Sequence, residues 1–99
     1  MAKDYIDERT KYLFRGILTL KTEEDCRAFF EDLCTVKELS EMSRRLTAAK
    51  MLDDNKIYSE IAEETGLSTA TISRVNRCLK YGSDGYTRVL SRLAEEEKG

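Results

Sequence analysis

The stretch Tyr58–Lys80, YSEIAEETGLSTATISRVNRCLK, puts one glycine between two short runs of helical period. Two helices joined by so short a turn must cross closely, which requires a small residue on the first; Ala62 is that residue. Four positions later the chain must reverse sharply, where a positive φ is easiest for glycine, and Gly66 stands there. Ile61, Leu67, Ile72 and Val75 fall on the apolar positions that would lock the pair together. Ser68 is placed to cap the second helix, its hydroxyl accepting from the amide of Ala70 or Thr71. One such feature would be weak evidence. Together, in one register, they predict a helix-turn-helix over residues 57–81.

The rest of the chain reads as helix too. Its 99 residues contain no proline, and only 8% are aromatic, a composition suited to helices rather than strands. The segment DYIDERTKYLFRGILTL carries Ile6, Leu13, Ile17 and Leu20 on one stripe, widened by Tyr5, Tyr12, Phe14 and Leu18. So broad a band predicts a helix buried between two surfaces. Thr22 heads a second helix with acids in its first turn and Cys26, Phe29, Phe30 and Leu33 on its face. Thr35 and Glu38 form a capping-box pattern ahead of a longer helix carrying Leu39, Met42, Leu46, Ala49 and Leu52, which stops near the polar cluster DDNK. Gly82 is placed to end the second helix of the pair at Tyr81. A last helix from about Tyr86 presents Tyr86, Val89, Leu90 and Leu93, with an acidic end expected to fray.

The expectation is one all-α domain of six short helices spanning residues 1–99, with a C-terminal helix-turn-helix. Residues 1–53 would supply dimerisation helices and 85–97 the closing helix. A chain this short cannot surround all its apolar faces, which favours a homodimer with interlocked first helices; a compact monomeric bundle is the alternative.

Composition narrows the function. Histidine is absent, which removes the commonest general base and zinc ligand. Cys26, Cys34 and Cys78 form no C-x-x-C pair and are expected to be buried or half-buried apolar groups. With no glycine-rich phosphate loop and no paired-carboxylate pattern, an enzyme is the weakest reading, and neither a metal nor a cofactor is expected. No apolar run approaches the roughly 18 residues of a membrane span, and the charged N-terminus is unlike a signal peptide, so a cytoplasmic protein is expected.

A net charge of −2 conceals an uneven distribution. Residues 66–92 hold Arg74, Arg77, Lys80, Arg88 and Arg92 against the single acid Asp84. The outward face of the second helix of the pair would begin with Ser68, Thr69, Ala70 and Thr71 and continue through Ser73, Arg74, Arg77 and Lys80. Short hydroxyls and a methyl at a helix start let the backbone approach base edges, directly or through water. Arg77 and Lys80 suit phosphates. These residues point to double-stranded DNA; a hairpin used for protein contacts, with the same face merely solvated, remains the alternative.

The span from LCTVKELSEMSRRLTAAKML through IAEETGLSTATISRVNRCLKYG resembles the tryptophan repressor family, and more narrowly its YerC/YecD-like branch. ATISR followed by LK, within a helix-turn-helix preceded by the LCT…RR helix, carries the likeness over roughly residues 30–93. The resemblance implies an all-α, intertwined homodimer and a transcriptional regulator, most simply a repressor at a palindromic operator. It also implies ligand positions at Thr35, Arg45 and Arg74, where two guanidinium planes could sandwich an indole and one could pair with a carboxylate. This chain departs from the family beside them. Val75 replaces a glycine and Cys78 a serine, a β-branched group where a ring needs room and a weak donor where a hydroxyl is wanted. The expectation is DNA binding without tryptophan, another small corepressor being possible but doubtful. Thr35 as a cap, Arg45 paired with Glu41 and Arg74 on a phosphate are the plainer readings of the same residues.

Overall fold

The computed structural model describes residues 6–99, and within them six helices and no strand. They are α1 (Glu8–Ile17), α2 (Glu23–Leu33), α3 (Val36–Asp53), α4 (Tyr58–Thr65), α5 (Thr69–Tyr81) and α6 (Gly85–Lys98). The all-α expectation therefore holds. No helix among the described residues is long and apolar enough to cross a membrane. Tyr5, assigned to the first apolar stripe, lies outside the described residues.

Helix starts follow the side chains that satisfy their orphan amides. Asp7 accepts from the Thr10 amide at 2.9 Å and from its hydroxyl at 3.0 Å, so α1 begins later than its apolar pattern suggested. Thr22 accepts from the Asp25 amide at 3.0 Å. Thr35 and Glu38 form a reciprocal capping box: the Glu38 amide donates to the Thr35 hydroxyl at 3.1 Å, and the Thr35 amide to the Glu38 carboxylate at 2.9 Å.

The chain divides into two compact units, Met1–Leu39 and Ser40–Gly99. In the first, neither α1 nor α2 buries a residue. The Phe29 and Phe30 rings meet edge to face with centroids 5.4 Å apart. Tyr12, Phe14, Leu18 and Leu33 stay exposed, so the band expected to lie between two surfaces is open within the chain. In the second unit Ala48, Ala49, Ile61, Ile72, Val75 and Leu90 form one core. α5 packs against both α4 and α6.

Gly82 ends α5 as expected, but through crowding rather than a positive φ. Its N–H donates to the Cys78 carbonyl at 2.9 Å, and a Cβ there would strike that same oxygen. The acidic end of α6 is helical through Lys98. The cysteines need correcting. Only Cys34 is half-buried, whereas Cys26 lies on a helix that buries nothing and Cys78 faces an open cleft on α5, so both are exposed.

Candidate nucleic-acid interface

The turn between α4 and α5 is held by more than its glycine. Gly66 has φ +74°, and its N–H donates to the Ala62 carbonyl at 2.8 Å. Thr65, a residue the sequence pattern did not single out, is buried. Its hydroxyl donates to the Ile61 carbonyl at 2.7 Å and accepts from the Leu67 amide at 3.2 Å. One side chain thus closes the end of α4 and fixes the first residue after the reversal. The only sequence signal was a threonine four residues after a core isoleucine and directly before the turn.

α5 starts as its sequence required. The Ser68 hydroxyl accepts from the Thr71 amide at 3.1 Å and donates to the Thr71 hydroxyl at 3.1 Å. Ile72 and Val75 turn into the core, at 0% and 2% exposure. The opposite side presents Ser68, Thr69, Ala70, Ser73, Arg74, Arg77 and Lys80 to solvent. Thr71 is half-buried, bonded to Ser68 and lining a cleft beside Arg74. The helix contains no acid. Arg88 is paired with Asp84 at 3.5 Å, but among the described residues Arg74, Arg77, Lys80 and Arg92 enter no ion pair. Arg74, Arg77 and Lys80, three uncompensated cations on one helix, give this face a positive potential on an acidic protein.

Behind the exposed row lies a cleft of about 410 Å³. Its walls come from Glu41 and Arg45 on α3, Leu67 in the turn, Thr71, Arg74, Val75 and Cys78 on α5, and Tyr86 on α6. Arg45 and Arg74, two of the three expected ligand positions, line the same space. Thr35 does not line it; it belongs to the N-terminal unit, where its hydroxyl and amide are engaged in the capping box. Arg45 makes no ion pair with Glu41 among the described residues. Val75 does not fill the cleft: its side chain is taken up by the core and forms one wall, leaving the space beside it open. The sequence put Tyr86 on the apolar face of the last helix but not in this wall, because its helix meets α5 only through the tertiary fold.

The family described as Trp repressor protein matches residues 8–94, nearly the whole chain. The chain belongs to the Trp repressor family. Within it, the protein YerC of Bacillus subtilis (strain 168) is 52% identical over 85 residues, covering 86% of this chain and 82% of that protein. A solved TrpR-like protein from Eubacterium eligens ATCC 27750 superposes with a TM-score of 0.89 at 48% identity, covering 93% of this chain and 96% of the other. A Staphylococcus aureus structure gives 0.88 at 45% identity, with 95% of each chain covered. The six helices, the helix-turn-helix and the likeness to the YerC branch of this transcription-regulator family agree.

Proposed function

We propose that this chain is a cytoplasmic, sequence-specific DNA-binding repressor that acts as a homodimer on a palindromic operator and needs no tryptophan. The observation that carries the reading is the solvent face of α5. Ser68, Thr69, Ala70 and Ser73 are small enough to approach base edges, while Arg74, Arg77 and Lys80 are unpaired cations on an acid-free helix. Thr71 supports this face from behind by receiving the Ser68 hydroxyl. The open apolar side chains of α1 and α2 support assignment of the N-terminal part, residues 1–53, to dimerisation.

In vitro selection from random duplex DNA, with purified protein and no added amino acid, tests the reading. A palindrome with half-sites about 34 Å apart is the expected product, and an unenriched pool would refute it. Arg74→Ala with Arg77→Ala should abolish binding to that sequence, whereas a protein contact through other faces would survive. A second reading, a repressor gated by a small corepressor, is favoured by one observation: Arg45 and Arg74 line one open cleft. The chain lacks tryptophan, so emission from added L-tryptophan reports binding without background. A saturable change at micromolar ligand would support that second reading over the first.

A further inference from the structure

In a helix-turn-helix the first helix crosses the DNA backbone. Here that helix, α4, has no basic residue and three exposed acids, Glu60, Glu63 and Glu64, which repel phosphates. The cation at this edge comes from elsewhere. Arg44 of α3, in the same compact unit, places its Nη1 3.6 Å from where a Cβ of Gly66 would stand. The guanidinium thus lies beside the turn, and Gly66 itself is exposed. Arg44 is half-buried, and its Nε donates to the Ser40 carbonyl at a long 3.4 Å. Among the described residues Arg44 enters no ion pair, and neither terminal amino group takes a hydrogen bond. A guanidinium with both terminal nitrogens free of ion pairs and hydrogen bonds among the described residues is suited to a phosphodiester oxygen pair.

We propose that Arg44 is a DNA-phosphate anchor, lying outside the helix-turn-helix and holding the backbone beside the turn that launches α5. This rests on the DNA-binding reading above. Gly66 takes the left-handed conformation of the turn beside Arg44, with φ +74°.

The test measures binding of the full chain to a fluorescein-labelled, mixed-sequence duplex of about 30 base pairs, from about 50 to 200 mM salt. Arg44→Gln should weaken binding about five- to tenfold at low salt and lower the steepness of the salt dependence by about one per reading head. Arg44→Lys, which keeps the charge and loses the fork, should restore the steepness. Arg77→Gln provides the comparison, since a phosphate contact there lowers the slope equally. Wild-type steepness in Arg44→Gln, even with weakened binding, would reduce Arg44 to a brace of the turn and overturn the proposal. Should thermal unfolding show that Arg44→Gln does not fold, Arg44→Met retains the packing of the stem and carries the same comparison. No binding by the wild-type chain at any salt would instead overturn the DNA reading, and this inference with it.

Discussion

Ile61 and Ile72 have no exposed surface, whereas Leu18, an equally apolar side chain, is 82% exposed. The contrast extends through the two units. Ser40–Gly99 closes a core of its own around two flush alanines of α3 and the inward faces of α4, α5 and α6. The N-terminal helices are specified locally, by Asp7 and Thr22 as caps and by charge pairs such as Arg27 with Glu31, yet they bury nothing. Helices of 10 and 11 residues have marginal stability without a packed face. The difference teaches that the C-terminal unit closes a core by itself, while the N-terminal one leaves apolar side chains exposed, which is where the proposed dimer would cover them.

The largest expected effect breaks the self-sufficient side. Ile72→Ala empties a fully buried site and should cost about 2–5 kcal/mol in denaturant unfolding. On the other side, Leu18→Asp alters a residue that no core in the chain uses. The proposed homodimer should dissociate about tenfold more readily by sedimentation, an effect near 1.4 kcal/mol, while the helical content of the C-terminal unit stays intact. An unchanged dissociation constant would remove Leu18 from any interface. Smaller again is Thr22→Ala, which deletes the cap of α2 and should cost about 1 kcal/mol, read by thermal unfolding.

The smallest effect is one of pH. The Thr10 amide, and secondly its hydroxyl, hold the Asp7 carboxyl below the usual carboxylate range. A folded-state value depressed below the unfolded one gives a contribution that is complete above the unfolded value and lost as pH falls through the lowered one. The protection of the Thr10 amide, its exchange measured by NMR relative to the intrinsic rate at the same pH, should therefore fall on acidification through that window. In Asp7→Asn that protection should stay level.

What the sequence disclosed follows the range of the interaction responsible. Thr22, the Thr35–Glu38 pair, Ser68 and Gly66 act within a few residues of themselves, and each stands where the pattern put it. Ala48 was passed over because alanine looks neutral beside the Leu46, Ala49 and Leu52 stripe, yet it is as buried as Ala49. Asn55 and Asp84, both in the left-handed region with φ 65° and 71°, gave only a general turn signal. Thr65 was hidden because its hydroxyl serves two backbone groups that become neighbours only when the turn closes. The exposure of Cys26 and Cys78 was misjudged for a related reason: burial belongs to packed surfaces, and residue type only biases it. The cleft was half legible. Arg45 and Arg74 came from the family likeness, whereas the wall provided by Tyr86 depends on how α6 meets α5.

Arg74 stands on the boundary of both surfaces, exposed on α5 and lining the cleft behind it. Were DNA and a cleft ligand both to use this guanidinium, the two proposed sites would be thermodynamically linked. Whatever occupies the cleft through Arg74 and changes the affinity for DNA by some factor must have its own affinity changed by DNA through the same factor. A chain that dispenses with a corepressor would keep this coupling in its geometry, so that one substitution in the cleft wall could convert a constitutive reader into a conditional one, or reverse the sign of its response.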